Sequence, residues 1–243
     1  MEERVFDARQ EMEKITDFIR EYFAERPLFR GAAVGISGGK DSLVCAALCA
    51  RALGASRVLG VMMPNGEQND IRDALETVRT LGIPSVNVNI NWSYKELIKA
   101  IGEKMSPVTL RNIPPRLRMT TIYALAQERR LLVCNTGNLS EITIGYTTKW
   151  GDNVGDFAPI AHLTKTEVVE VGVVLGLPLA LVLKTPSDGL TGVSDEEWFG
   201  FSYVELDDYI RNALDSVPAE VAEKIEQRIA VNRHKRLPMS TVQ

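Results

Sequence analysis

Eight residues, Gly35-Ile36-Ser37-Gly38-Gly39-Lys40-Asp41-Ser42, join an apolar, strand-like run at 31–36 to a helix-like run at 43–53. A strand that passes through paired glycines straight into a helix commits the chain to an α/β unit. It also builds an anion site. Gly38 and Gly39 permit backbone angles and close approaches that side chains forbid, so successive N–H groups face a ligand at the positive end of the helix. Ser37 and Ser42 add hydroxyl donors. The common P-loop has a glycine, four intervening residues, Gly-Lys and then Ser or Thr. Here the first and last of those places hold Val34 and Asp41. A carboxylate inside a phosphate cradle repels the ligand unless a cation lies between them, so Asp41 points to Mg²⁺ held against the phosphates.

The rest of the chain repeats the same unit. Strand-like runs recur at 32–36, 58–63, 86–90 and 131–135 with helical segments between them, and Met12, Ile15, Ile19, Tyr22 and Phe23 fall at helical spacing ahead of the first. That rhythm predicts a doubly wound parallel sheet with right-handed crossovers and flanking helices. In such a sheet ligands collect beyond the carboxyl ends of the strands. The turns after Ile36, at 63–66 and at 136–138 are therefore expected on one rim. Beyond Lys184 the sequence reads as a loop-rich cap followed by two helices, 203–214 and 218–233. With 243 residues, the expectation is one domain spanning 1–243.

Charge and composition exclude several classes. A formal charge of −4 without a basic tract argues against a nucleic-acid partner. No apolar run approaches the roughly 20 residues that span a bilayer, and residues 1–20 are charged and amphipathic, unlike a signal peptide. The expected address is cytoplasmic. Cys45, Cys49 and Cys134 are odd in number, lack CxxC spacing and sit in apolar contexts, which predicts buried free thiols. His162, beside the helix start at Thr164, reads as a packed or capping imidazole.

Three further motifs sharpen the reading: Asn112-Ile113-Pro114-Pro115-Arg116-Leu117-Arg118-Met119, Asn135-Thr136-Gly137-Asn138-Leu139-Ser140-Glu141, and Gly145-Tyr146-Thr147-Thr148-Lys149-Trp150-Gly151-Asp152. With the 35–42 run, which resembles the pyrophosphate loop of the N-type ATP pyrophosphatases, they resemble the ammonia-dependent NAD synthetases. The likeness continues through Leu163-Thr164-Lys165-Thr166, Lys184-Thr185-Pro186-Ser187 and His234-Lys235-Arg236, so it covers nearly the whole chain. It implies a Rossmann-like, adenine nucleotide alpha-hydrolase-like fold without an amidase (glutaminase) domain. It implies a ligase that forms a C–N bond: the nicotinate carboxylate of deamido-NAD attacks the α-phosphorus of ATP, pyrophosphate departs, and ammonia displaces AMP from the acyl-adenylate to give NAD. An alternative is another N-type pyrophosphatase acting on a different acceptor, such as the synthetase part of a GMP-forming enzyme.

The resemblance also implies roles. Gly35, Ile36, Ser37, Gly38, Gly39, Lys40, Asp41, Ser42, Thr136, Lys165 and Ser187 fall at ATP positions, with Lys165 neutralising phosphate. Asp41 and Glu141 fall at Mg²⁺ positions. Arg116, Lys149, Asp156, His234 and Lys235 fall at deamido-NAD positions, and Asp152 at an acidic position near the incoming nitrogen, where it orients ammonia or takes a proton. Homodimerisation is implied as well. Read without the family, Glu141 is a favourable charge in a first helical turn capped by Ser140. Arg116 and Arg118, two residues apart, cannot share a helix face. Pro114-Pro115 predicts that the helix carrying Arg116 begins there. Asn153-Val154 stands where the family has a glycine pair, and Asn153 tolerates positive φ better than Val154.

Overall fold

The structure is a computed structural model that describes residues 6–68, 70–184, 195–212, 216–238 and 241. The chain opens with α1 (Ala8–Ala24), capped by the Asp7 carboxylate, which accepts from the N–H groups of Arg9 and Gln10 at 3.0 Å. Met12, Ile15, Ile19 and Phe23 form its buried stripe, as their spacing predicts. Ile19 has no exposed surface, which contributes about 2 kcal/mol.

Four strands follow at β1 (Gly31–Gly35), β2 (Val58–Met62), β3 (Ser85–Asn87) and β4 (Leu131–Cys134). All pairings are parallel, in the order β3-β2-β1-β4. The order reverses beside β1, so the loop leaving β1 lies at the topological switch point, where ligands of such sheets bind. The third strand is shorter than the 86–90 run. Its pairing is continued by single bonds from Val88 N–H to the Met62 carbonyl at 2.8 Å and from Ile90 N–H to the Pro64 carbonyl at 2.9 Å.

Strand alternation divides the core between the two faces. Ala32, Val34, Val58, Met62, Leu132 and Cys134 pack with α1, α2 (Lys40–Leu53), α3 (Ile71–Leu81) and later helices. Ala33, Leu59, Val61 and Val133 pack on the other side against Ile122 and Ala126 of α5 (Pro107–Arg129), which is preceded by α4 (Asn91–Ile101). A third cluster ties Ile144 of α6 (Leu139–Ile144) to Phe199, Tyr203, Leu206 and Ile225 of the carboxyl-terminal cap. That cap comprises α9 (Asp195–Phe199), α10 (Tyr203–Asn212), α11 (Ala219–Val231) and α12 (Arg233–Arg236), after α7 (Lys165–Val174) and the short α8 (Leu179–Val182). The expected helix 203–214 is observed to Asn212, and 213–215 lie outside the described residues. Among the described residues no helix is long and apolar enough to cross a membrane.

The proline pair requires a correction. The helix carrying Arg116 begins eight residues upstream of Pro115, at Pro107, with Ser106 as cap and Pro114 and Pro115 inside it. Ser106 Oγ accepts from Thr109 N–H at 3.2 Å, and Pro107 takes a first-turn place where its missing N–H costs nothing. Those signals set the start. The interior prolines lack the N–H groups that would reach the Leu110 and Arg111 carbonyls, and the helix continues with Ile113 and Pro114 buried.

Candidate active site

Beyond the carboxyl ends of the strands lies a cavity of about 590 Å³, lined by the β1–α2 loop, the turns after β2 and β4, α5, α6 and the carboxyl-terminal cap. The three expected turns do converge there, through Ser37, Gly39, Met63, Pro64, Thr136 and Gly137. Gly38 has φ +86°, and a Cβ on it would stand 2.5 Å from the Asp70 carbonyl oxygen. The loop is thus pressed against the start of α3, and only glycine fits. The serines knit the loop together: Ser42 Oγ donates to the Gly39 carbonyl at 2.9 Å, and Gly39 N–H donates to Ser37 Oγ at 3.1 Å. Gly39 caps α2 without any side-chain partner, so the amino-terminal end of the helix is open toward the cavity wall.

At this helix end three charges meet. Lys165 Nζ lies 2.6 Å from Asp41 Oδ2 and 3.0 Å from Glu141 Oε1. The lysine side chain is 6% exposed and the carboxylates 16% and 17%, so the group is screened from water but reachable from the cavity. One ammonium faces two carboxylates. Burial opposes the charge on Lys165, yet Asp41 and Glu141 outweigh it and hold the amine well above its ordinary range. Burial pushes Glu141 up to about 7 against the pull of Lys165, with the Asp41 charge adding to the rise. Lys165 therefore stays charged, and Glu141 accepts a proton more readily than an ordinary carboxylate. Lys40, also buried, is shifted down by burial and then by the charge of Lys165.

The supports of this triad lie in residues that sequence reasoning passed over. Asn138, with no exposed surface, donates from Nδ2 to Asp41 Oδ1 at 3.1 Å, while its Oδ1 accepts from Glu141 N–H at 3.0 Å. Asn138 thus meets both carboxylates, Asp41 through its side-chain amide and Glu141 through its backbone N–H, which donates to Oε2 at 3.5 Å. Asn138, not Ser140, caps α6, with Glu141 completing a capping box. Ser140 Oγ instead donates to Asp207 at 2.5 Å and accepts from Lys165 N–H at 2.9 Å. Asp207 Oδ2 accepts from Thr166 N–H at 2.8 Å, so one buried carboxylate brackets the starts of α6 and α7. The capping-box spacing from Asn138 to Glu141 was a readable signal; Asp207 had none, because its contacts are distant in sequence.

Asn135 performs a similar task at the other wall. Its Nδ2 donates to the carbonyls of Asp152 at 3.1 Å and Val154 at 2.9 Å, and its Oδ1 accepts from Gly137 N–H at 2.8 Å. The 151–155 loop is thereby fastened to the end of β4. Asp152 Oδ1 accepts from Thr148 N–H at 2.6 Å. Although the residue is exposed, the protein around its carboxyl pushes its pKa up, opposed by the Thr148 N–H, Lys235 and Arg118. Asn153 and Val154 do not take positive φ; the left-handed residue here is Trp150, at 62°.

A family model described as NAD synthase matches residues 11–239. The chain belongs to the NAD synthase family. It is 39% identical over 226 residues to the NH(3)-dependent NAD(+) synthetase of Finegoldia magna, 92% of each protein. Among solved structures, NMN synthetase from Francisella tularensis superposes with a TM-score of 0.91 at 31% identity, covering 98% of this chain and 99% of that one. The NH3-dependent NAD synthetase from Campylobacter jejuni, in complex with the nitrate ion, gives 0.83 at 28%, covering 98% and 100%.

Not every residue that resembles a NAD synthase acceptor position faces the cavity. Lys235 does, with Nζ donating to the carbonyls of Gly145 and Thr147 at 2.8 Å. Arg116, Lys149 and His234 stand outside it as one linked group: Arg116 Nε donates to the Lys149 carbonyl at 3.2 Å and Lys149 Nζ to the His234 carbonyl at 2.9 Å. Asp156 is also outside, accepting from Val133 N–H at 2.7 Å. Of the Arg116–Arg118 pair, Arg118 faces the cavity, with Nε donating to the Met63 carbonyl at 3.0 Å; Arg111 and Arg228 line it too. Arg116 and Arg118 point apart as their spacing requires. Ser187 lies outside the described residues. His162 pairs with Glu11 at 2.7 Å, and the three cysteines are free and buried.

Proposed function

We propose that this protein is a ligase that amidates the nicotinate carboxylate of deamido-NAD with ammonia, consuming ATP and releasing AMP and pyrophosphate. The observation that carries this reading is the Asp41–Lys165–Glu141 group at the open end of α2, within a chain that matches NAD synthase over residues 11–239. A carboxylate becomes reactive toward ammonia only when its oxygen is made a good leaving group, and transfer to the α-phosphorus of ATP achieves that. The backbone N–H groups of the β1–α2 loop and the start of α2 receive phosphate oxygens, with Lys165 and Lys40 supplying fixed positive charge. Thr136, on the cavity wall, is placed to bond the nucleotide.

Asp41 and Glu141 suit Mg²⁺. Their oxygens lie 2.6 and 3.0 Å from Lys165 Nζ, the cation between them in this structure; Mg²⁺, which usually takes one or two carboxylates while substrate phosphates and water complete its shell, would take that place as the lysine turns to the phosphates. When bound it would neutralise phosphate charge as pyrophosphate leaves. Asn138 keeps both carboxylates aimed at that position. Asp152, on the opposite wall, is placed to orient ammonia and receive its proton.

The acceptor-side cations outside the cavity support a homodimer in which Arg116, Lys149 and His234 meet the acceptor along a face shared with a second copy. Ammonia rather than glutamine as nitrogen source is supported by the named activity of the Finegoldia relative. A single catalytic domain is supported by the 92% mutual coverage with that relative. Three unpaired thiols suit a reducing, cytoplasmic setting.

The decisive experiment measures pyrophosphate release and NAD formation together, with ATP, Mg²⁺ and ammonium chloride, with and without deamido-NAD. Equal amounts of both products are expected only when the dinucleotide is present. A second acceptor enters the same assay, because the superposition at 0.91 on NMN synthetase favours nicotinate mononucleotide as the alternative substrate. Faster turnover of the mononucleotide would move the assignment to the shorter acceptor. Pyrophosphate formed only with some other carboxylate would leave the ATP site standing and remove the acceptor assignment.

A further inference from the structure

A second cavity, of about 280 Å³, lies behind the 151–155 loop, between that loop, α6 and α12. It shares Asn135, Gly137, Thr147, Asp152 and Lys235 with the main cavity, so the two adjoin across these residues. Its remaining lining includes Ile142, Ala158 and Arg236, none of which faces the main cavity. Asp152 is the acid common to both linings. The volume holds several waters and is too small for a nucleotide.

We propose that this second cavity is the ammonia entrance, an antechamber from which NH₃ reaches the acyl carbon past Asp152 while the nucleotides fill the main cavity. The inference rests on the amidation reading. During the second half-reaction the main cavity contains AMP joined to the acceptor, and a nucleophile needs a path to the carbonyl that those groups do not block. The chamber behind Asp152 offers it. Ammonia attacks the acyl carbon as the C–N bond forms; the C–O bond to AMP breaks with its electron pair leaving on the phosphate oxygen, and one N–H proton passes to the Asp152 carboxylate. Lys235 and Arg236 on the chamber wall disfavour the ammonium ion and favour neutral NH₃. Asn135 holds the separating loop in place through the Asp152 and Val154 carbonyls, so the partition is fixed by hydrogen bonds rather than by side-chain packing alone.

The test narrows the chamber without touching the main cavity. Ala158→Val and Ala158→Phe are compared with the native protein for amide formation against ammonium concentration, and for ATP–pyrophosphate exchange with acceptor present and ammonia absent. The KM for ammonium is expected to rise with side-chain size, several-fold for Ala158→Phe, while exchange and the KM for ATP keep their native values. An unchanged ammonium KM in both variants overturns the proposal. If Ala158→Phe also loses exchange, its fold has been disturbed and Ala158→Val decides on the same criterion. Failure of the amidation reading looks different: the native protein would then form no amide at any ammonium concentration.

Discussion

At the scale of single residues, the site is organised by an imbalance, one ammonium between two carboxylates. Glu141, raised to about 7 in the folded protein from an ordinary value of 4.5, binds more protons folded than unfolded between those pH values. Stability must therefore fall as pH rises through that window, by an amount on the order of 2 kcal/mol. Lys165 acts elsewhere: its raised pKa contributes stability at all pH values below its ordinary range near 10.5, lost only above it. Urea unfolding at pH 5 and pH 8, without divalent cation, should show the decline in the native protein and its disappearance in Glu141→Gln. An equal decline in both would assign the slope to another group. Asp152 invites a different comparison. Asp152→Asn keeps an oxygen to accept the Thr148 N–H but cannot take a proton, so exchange of pyrophosphate into ATP should persist while amide formation slows at least tenfold. Equal loss in both half-reactions would refute its role with the nitrogen. That Asp41, Glu141 and Lys165 belong together was legible because residue type and motif carry it, whereas Asn138, Asn135 and Asp207, which position their neighbours, act through contacts that only the folded chain brings together.

At the scale of elements, the loop between β1 and α2 depends on its neighbour α3. An alanine at Gly38 would hold a left-handed conformation at a cost of about 1–2 kcal/mol and would also drive its Cβ to within 2.5 Å of the Asp70 carbonyl. Gly38→Ala should raise the KM for ATP by at least tenfold while circular dichroism stays native. A KM within twofold of native would show that the loop does not form the phosphate cradle. The strands and α1 were legible because apolar periodicity is local. The start of α5 was not. Paired prolines read locally as a beginning, but Ser106 and Pro107 supply a stronger one, and the packing of Ile113 and Pro114 sustains the helix across the gap in its hydrogen bonds. The third strand was read too long for a related reason: Val88 and Ile90 alternate like strand residues and still donate to β2 and the turn after it, but without a continuous ladder.

At the scale of the whole molecule, α4 and α5 present a face that one chain leaves uncovered. α4 contains no buried residue, and its Leu97 and Ile101 are exposed at 39% and 46%. Arg116 projects from α5 outside the main cavity. An exposed apolar helical surface is what a second copy of the chain would cover, and a stable pair needs about 800 Å² from each partner. Ile101→Glu places a charge within that face and leaves both cavities as they are. Sedimentation should show the native protein as a dimer and Ile101→Glu as a monomer. The acceptor KM of the variant should rise, because Arg116, Lys149 and His234 then lose the partner surface against which they meet the acceptor. ATP binding should persist, since the loop, Asp41, Glu141 and Lys165 all come from one chain. A monomeric native protein with full activity would sink the dimer reading and assign those three cations to a surface role.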